Sequence, residues 1–427
     1  MVERVQNLWE RARESLLVLP AAMVVAAGAL AWGAIRFDLG TVTEPWSNLL
    51  IEASVDSARA VLTTVAGATA TVAGIVFALT AVAVQLASSM YSPRVIQGYM
   101  RDRLQQSVIG VVSGTFTFSL LALASVEDPL DGSFGTAPRM TVTIGVVLGV
   151  VAFGFIVVNI DHVVRTLRAD AIIRRLTDQT LAAIRRYHPE DAAHDPGELE
   201  LPDAESVTVA AKGRGWLRSI DRDWLLEKLP PGTLVRLDTS VGSLLREGGP
   251  VATIWSDGLD ADQAAELVHD ATVVGASRSL DQDPIYGIRL LVDVALRALS
   301  PGVNDPTTAV TVVLHLTGPL SEVLRRELPP RVYRGEDGRR LFEPLRPTDA
   351  DFLRVALREI RLAAAGQPEV LEAMAHLLAD LVPGTEPEGR HRGLLAIEAG
   401  ALIRTTATLS EPDRDRVLSA LGELAPA

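Results

Sequence analysis

The sequence predicts a membrane protein of mixed class, with four transmembrane helices followed by a cytoplasmic α+β domain that contains a small β module and a helical bundle. The 427-residue chain is 48% hydrophobic, and its long apolar runs all lie in the N-terminal part. The remainder shows strand-like and helix-like periodicities in turn. The predicted domains are a membrane domain (1–165), a helical extension and linker (166–205), a β module (206–257) and a mostly helical domain (258–427).

The composition excludes several classes of function. The chain has no cysteine, which excludes disulfides, a thiolate nucleophile and cysteine metal sites. Its net charge of −13 argues against a nucleic-acid partner, because such partners attract basic surfaces. The composition therefore favours a membrane protein without thiol chemistry.

Four segments approach or exceed the ~20 apolar residues that cross a bilayer. The first is interpreted as a retained anchor rather than a signal peptide, because it lacks a convincing cleavage site and three further runs follow. The lipid bilayer is therefore an expected partner. The predicted spans are 16–35, 60–86, 107–126 and 141–160.

The arginines predict the orientation of these spans. They cluster before span one, between spans two and three, and after span four, whereas 38–58 and 126–138 contain acidic residues but no Lys or Arg. Arg36, Arg59 and Arg139 at the opposite edges are outnumbered. Because positive loops stay inside, we expect both termini in the cytoplasm, with the protein in a bacterial inner membrane.

Span two carries a stripe of small and weakly polar residues at helical spacing, opposite a bulky apolar stripe. One interpretation is close helix packing, which small residues permit in lipid. The other is that the stripe lines a narrow pore in a homo-oligomer and replaces the hydration waters of a small ion. The candidate pore-lining residues are Thr64, Gly67, Thr71, Gly74, Ala78, Gln85 and Ser88.

Tyr91, Ser92 and Arg94 follow span two. They form either the cytoplasmic mouth of such a pore or an interfacial anchor and turn. The pairs Gly110/Gly114 and Gly145/Gly149, in spans three and four, have the spacing of helix-packing motifs.

Beyond span four, the pattern predicts an amphipathic helix over 163–187 that continues the span. A polar linker over 188–205 leads to four strand-like stretches that begin near 206, 215, 233 and 250. A helix from Ala261 to about Val274, capped by Asp260, comes next. A hairpin with Asp337-Gly338 at its turn precedes helices near 348–365, 367–382, 389–409 and 411–424.

Two Asp-Pro pairs start helices in the C-terminal half, and aspartate is a good N-cap with proline tolerated behind it. Capping alone explains both pairs. The alternative is a loop site at which two helix N-termini meet and favour an anion. That site would contain Asp281, Gln282, Asp283, Asn304, Asp305 and Thr307.

No catalytic residue is predicted, because the chain lacks the hydrolase, kinase, P-loop and dinucleotide motifs. Its seven histidines show no metal-ligand spacing. The turn at 241–250 is similar to that of a lipoyl carrier but has no lysine at its tip. We therefore expect no metal and no cofactor.

The segments VQLASSMYSPRVIQGYMRDRLQQSVIGVVSGTFTFSLLAL and RSLDQDPIYGIRLLVDVALRALSPGVNDPTTA resemble a bacterial family of predicted membrane proteins, the domain of unknown function 2254. The resemblance spans most of the chain. It implies four spans and a cytoplasmic domain, and it implies no activity.

Two functions fit these observations. The first is an oligomeric ion channel or related transport protein, in which span two lines the pore and the cytoplasmic domain gates it or forms its vestibule. The alternative is a membrane-anchored sensor or scaffold whose cytoplasmic domain binds a ligand or a protein. The remaining hypothesis is an enzyme, in which the acidic residues of the loop site support catalysis.

Overall fold

The protein is described here from a computed structural model, which covers residues 18–38, 50–52, 54–90, 103–126, 138–166, 168–190, 199–384 and 390–424. The chain divides into two compact units, Met1–Arg168 and Ala169–Ala427. We call them the membrane unit and the C-terminal unit.

The described part of the membrane unit contains four helices that are long and apolar enough to cross a bilayer. The predicted number of spans is therefore confirmed, and each helix overlaps its predicted span. The helices are α1 (Val18–Asp38), α2 (Val55–Met90), α3 (Arg103–Ala124) and α4 (Arg139–Thr166).

Helix α3 lies at the centre of this unit. Half of its most apolar window is buried (50%), against 17%, 17% and 22% for α1, α2 and α4. Two apolar clusters hold the bundle together, one around Leu62 and Phe118 and the other around Val76 and Val112. The outward surfaces of α1 and α4 carry large apolar side chains such as Val25, Val150 and Phe153, as expected of surfaces that face lipid.

Glycines in α3 and α4 allow the helices to approach closely. A Cβ atom at Gly110 would lie 2.4 Å from Met23 Sδ, and one at Gly114 would lie 3.2 Å from Ala27 Cβ. At Gly145 a Cβ would lie 2.9 Å from Leu62 Cδ2. These contacts confirm the packing role predicted for both glycine pairs.

The C-terminal unit combines two small sheets with helices. Its helices are α5 (Ala169–Tyr187), α6 (Arg222–Lys228), α7 (Ala261–Ala271), α8 (Pro284–Ala298), α9 (Pro306–Arg325), α10 (Asp349–Ala363), α11 (Pro368–Leu381), α12 (Arg390–Thr405) and α13 (Glu411–Ala420). Its strands are β1 (Val207–Ala210), β2 (Gly215–Ile220), β3 (Leu234–Leu237), β4 (Leu244–Leu245), β5 (Pro250–Trp255), β6 (Thr272–Gly275), β7 (Val332–Arg334) and β8 (Arg340–Phe342).

The strands form a five-stranded sheet in the order β1-β5-β3-β8-β7 and a three-stranded sheet in the order β4-β2-β6. All pairs are antiparallel except β3 with β8, which is parallel. A core that includes Leu217, Leu225, Val235 and Ile254 is buried among these elements. The sheets thus take strands from 272–275 and 332–342 as well as from the predicted β module over 206–257.

The hairpin predicted over 331–344 is confirmed. Strands β7 and β8 pair antiparallel, and Asp337 and Gly338 at the turn have φ values of 54° and 75°. Both residue types tolerate this left-handed conformation, which is why Asp-Gly marks such turns.

Two predicted helices have different bounds in the structure. Helix α7 ends at Ala271 rather than near Val274, because Val273 and Val274 belong to β6 and pair with β2. The helix predicted over 163–187 is two helices, since α4 ends at Thr166 and α5 begins at Ala169. The apolar period continues across this point, so the break was not visible in the pattern.

The helices α5, α8, α9 and α10 of the C-terminal unit pack on one another. Residues Ile288, Leu291, Val292 and Ala295 of α8 are fully buried, as their spacing predicts. Gly287 permits α8 to contact α5, because a Cβ atom there would lie 2.2 Å from Thr180 Oγ1. Arg289 forms an ion pair with Asp293, one turn along the same helix, at 3.0 Å.

Candidate functional site

The small-residue stripe of span two lies on the exposed surface of α2. Thr64, Gly67, Thr71, Gly74, Ala78 and Gln85 are all exposed in the single chain. The face of α2 that packs inward instead carries Ala58, Leu62, Ala66, Thr69 and Val76. Within the described residues, the stripe is therefore not used to pack helices of the same chain.

The stripe's glycines differ from the packed glycine pairs of α3 and α4 and are as open as Gly33 and Gly154. A Cβ atom at Gly67 or Gly74 would have no described heavy atom within 4 Å beyond its own helix. The hydroxyls of Thr64 and Thr71 donate to the carbonyl oxygens of Ala60 and Gly67, at 2.7 and 2.9 Å. The hydroxyls of these two threonines are thus satisfied by the backbone of their own helix.

The remaining predicted pore residues lie partly outside the described structure. Ser88 is within α2, but its side chain is outside the described residues, and so are Tyr91, Ser92 and Arg94 of the predicted mouth.

Asp283 and Gln282 of the predicted loop site are fixed by internal contacts. Asp283 caps α8, with Oδ1 accepting from Tyr286 N–H at 3.2 Å, and its Oδ2 accepts from Arg278 Nη2 at 2.6 Å. Gln282 exchanges two hydrogen bonds with the backbone of Ile220, at 3.0 and 3.1 Å. The predicted capping role of Asp283 is confirmed. The Gln282 side chain pairs with the backbone at the last residue of β2, as a neighbouring strand would.

The loop between β3 and β4 packs against Asp283. Gly242 has a φ of 86°, and a Cβ atom there would lie 2.3 Å from Asp283 Oδ2. Only glycine satisfies both the backbone conformation and the available space. Arg278 lies over the rings of Tyr286 and Trp216, at 4.8 and 5.8 Å from their centroids.

Asn304, Asp305 and Thr307 lie at the other end of α8. Asp305 caps α9 through Thr308 N–H at 3.1 Å, and its own N–H donates to Ala298 O at 2.8 Å. Since α8 has 15 residues, at ~1.5 Å each, the two Asp-Pro starts are about 22 Å apart. The loop site predicted from 281–283 and 304–307 is therefore not one cluster. Asp281, Asn304 and Thr307 are exposed.

Asn304 has a φ of 48°, in the left-handed region that asparagine tolerates better than most residues. This conformation turns the chain from α8 into α9 and accounts for the asparagine. Gln367 Nε2 donates to its Oδ1 at 3.4 Å.

Gln282 and Asp283 line an open-mouthed cavity of about 80 Å³ within the C-terminal unit. We call it the sheet–helix cavity. Its walls come from the end of α5, the junction of β2 and α6, the loop after β3, the start of α8, the segment around β7 and β8, and α10. Sequence analysis missed it, because its lining residues come from segments far apart in the chain. The DQDP motif was the local signal that pointed to one wall.

His188 is the most deeply placed polar side chain of this cavity that retains an unused hydrogen-bonding atom. It is 4% exposed, and its Nδ1 has no hydrogen-bond partner. Its ring meets Phe352 edge-on, with 5.6 Å between centroids. Burial lowers the pKa of His188 to about 4, although the Asp349 carboxylate acts in the opposite direction. The imidazole is therefore neutral at pH 7.

Three charged groups of the cavity wall, Arg222, Glu343 and Asp283, take part in opposite-sign pairs. Arg222 makes two hydrogen bonds with Glu343, at 2.6 and 3.1 Å, and lies over the ring of Tyr333 at 5.3 Å. Burial raises the pKa of Asp283, and its partner Arg278 opposes that shift. Burial likewise raises the pKa of Tyr333 to about 12, so its hydroxyl stays protonated at neutral pH.

Among the described residues, no group of three or more His, Asp or Glu side chains is placed to hold a metal ion. The sheet–helix cavity offers aromatic faces, paired charges and one neutral imidazole. Aromatic surface with a few fixed polar groups is typical of pockets that bind small molecules.

The architecture defines a class: an integral membrane protein with four apolar helices followed by a mixed region of helices and small sheets. The family described as "Predicted membrane protein (DUF2254)" matches residues 13–380, and the chain belongs to this family. The chain is 30% identical to uncharacterized proteins of Mycobacterium bovis and Mycobacterium tuberculosis, with 98% of this chain and 82% of each relative covered. No solved structure matches the chain.

Proposed function

We propose that the protein is an oligomeric ion channel or related transport protein in which the span-two stripe faces a central axis. The observation that carries this proposal is the exposure of Gly67, Thr71 and Gly74 along one stripe of α2, whereas the glycine pairs of α3 and α4 are in close contact with neighbouring helices. Small residues on a lipid-facing surface contribute little to packing, whereas at a helix contact they allow close approach.

The rest of the membrane surface supports this assignment of faces. Helix α4 presents Val150 and Phe153, which are 68% and 67% exposed, and such bulky apolar side chains suit lipid. The stripe instead offers a smooth surface with threonine hydroxyls and one glutamine. Around an axis, such a surface leaves a narrow passage that hydroxyls can line.

The proposed channel has a defined orientation in the membrane. With the arginine-rich loops inside, both termini and the C-terminal unit lie in the cytoplasm of a bacterial cell, and the membrane is the inner membrane. In this function the C-terminal unit acts as a gate or vestibule.

The proposal is tested by reconstituting the purified full chain into liposomes and measuring conductance under voltage, membrane tension and pH steps. Bilayers that stay silent under all three would contradict the channel. The mass of the detergent-solubilised protein gives a second readout, because a monomer cannot form a pore from one helix per subunit.

The second candidate is a membrane-anchored sensor, and the sheet–helix cavity is the observation that favours it. In this function the stripe only joins subunits, and a ligand bound in the C-terminal unit is the signal. Ligand binding without any conductance would favour the sensor over the channel.

A further inference from the structure

The sheet–helix cavity contains groups for which the channel proposal has no use. Three of the lining residues, Gln282, Asp283 and Pro284, belong to the sequence motif LDQDPIYG (280–287). This motif fixes one wall of the cavity, and it also contains the packing glycine Gly287. Gly242 fixes the loop opposite, as described above. The wall is thus held by the fold rather than by flexible side chains, which is the condition for a preorganised site.

The aromatic side chains of the lining favour a flat ring. Tyr187, Tyr333 and Phe352 reach the cavity from three different segments, and prolines 284, 329 and 347 add further apolar surface. Aromatic rings attract one another through edge-to-face and offset contacts, as His188 and Phe352 already do.

The charges of the lining disfavour an ionic ligand. Arg222 is held by Glu343, and Asp283 by Arg278. With Arg346, the charged side chains that line the cavity are two cations and two anions. A charged ligand would lose its hydration without gaining a counter-ion.

His188 supplies the remaining recognition element. It lines the cavity, is more than nine-tenths buried, and has an Nδ1 atom that lacks a partner. A buried polar atom without a partner costs free energy, and a ligand that pairs with it recovers that cost.

We propose that the sheet–helix cavity binds a small uncharged molecule with a flat ring and a polar substituent, which packs on Tyr333 and Phe352 and exchanges a hydrogen bond with Nδ1 of His188. This inference extends the sensor candidate and does not depend on the pore. Failure of the conductance test leaves it unaffected.

The test uses the purified full chain in detergent and three ring compounds that differ in charge: benzamide, benzoate and benzylamine. Binding is measured by saturation-transfer NMR and by the shift of the unfolding midpoint with ligand concentration. We expect benzamide to bind at least about tenfold more tightly than the two charged compounds, because each charged ring must bury an uncompensated charge.

Two variants test the location of the site. His188→Phe keeps an aromatic ring against Phe352 but removes Nδ1, and we expect about a two- to tenfold loss of benzamide affinity, the range of one neutral hydrogen bond. Ser240→Phe places a ring in the cavity from the loop after β3, and we expect it to abolish binding. Ser240→Phe still carries the test if His188→Phe does not fold.

His269→Phe is the matched control. His269 also has an Nδ1 atom without a partner, but it lies on α7 and does not line the cavity, so benzamide binding should be unchanged. The proposal is overturned if benzamide does not bind, if the three compounds bind equally, if benzoate or benzylamine binds best, or if Ser240→Phe leaves benzamide binding intact.

Discussion

The two units of the molecule account for their unusual sequence motifs in different ways. In the C-terminal unit, Gln282, Asp283 and Asp305 each have partners within the chain, and these partners explain why the residues are there. In the membrane unit, the described residues of the α2 stripe are exposed. The difference teaches that contacts within the chain explain the first motif, whereas they do not explain the stripe.

The largest expected effect is the loss of stability when Asp283 is replaced. Asp283 and Asp305 both precede a proline at the start of a helix, but their surroundings differ. Asp283 is 3% exposed and paired with Arg278, so Asp283→Ala should cost roughly 3 kcal/mol or more by leaving a cation without its partner. Asp305→Ala should cost only about 1 kcal/mol, the value of an N-cap.

Thermal unfolding of the C-terminal unit within the full chain, followed by circular dichroism, measures both costs. Equal losses from the two variants would show that capping alone explains Asp283.

The pH dependence of stability tests the burial of His188. Its pKa falls from 6.5 to about 4 on folding, so between these values the unfolded state binds the additional proton. Stability is therefore complete above pH 6.5 and falls as the pH approaches 4, by up to about 3 kcal/mol.

His188→Phe should remove this part of the pH dependence, while His269→Phe should keep it. Urea unfolding between pH 4 and 7 gives the comparison. An unchanged pH profile in His188→Phe would contradict a buried neutral imidazole.

Substitutions of two glycines compare a helix surface that is packed within the chain with the exposed stripe of α2. Gly114→Leu should destabilise the unit by about 1–3 kcal/mol, because the new side chain enters the contact with Ala27. Gly67→Leu should change subunit stability by less than about 0.5 kcal/mol, as for other exposed sites.

The measurement is the unfolding midpoint in detergent at a protein concentration low enough to keep subunits apart. If Gly67→Leu destabilised the isolated subunit as much as Gly114→Leu, the stripe would have a partner inside the chain.

The absence of cysteine in the wild-type chain permits a cross-linking test of the outward partner. Thr71→Cys should be joined to a second copy by a short bismaleimide in membranes, because in the proposed assembly both stripes face the same axis. Phe153→Cys on the lipid-facing surface of α4 is equally exposed and should remain monomeric on denaturing gels. The opposite pattern would place the subunit contact on α4.

Local patterns in the sequence predicted the elements but not their long-range contacts. The four spans, the strands β1, β2, β3 and β5, and the caps Asp260, Asp283 and Asp305 follow from residues close in the chain. Strand β6 was assigned to a helix because Val273 and Val274 continue an apolar run, and only pairing with β2 makes them a strand.

The candidate sites likewise differ in whether residues close in the chain form them. The stripe was visible in the sequence because one helix carries it. The sheet–helix cavity was not, because Tyr187, Ile220, Ser240, Asp283 and Phe352 meet only after folding. The exposure of the stripe also required the structure, since a small-residue face fits a packed helix and an open one equally well.

The central claim is that the stripe of α2 lines a passage in an assembled protein, and thiol blockade of current tests it most directly. Thr71→Cys and Phe153→Cys proteins are reconstituted into liposomes, and a water-soluble, positively charged methanethiosulfonate reagent is added during recording. The account predicts that the reagent reduces the current of Thr71→Cys and leaves that of Phe153→Cys unchanged. A current that is unaffected in Thr71→Cys, or no current in the unmodified protein, would contradict it.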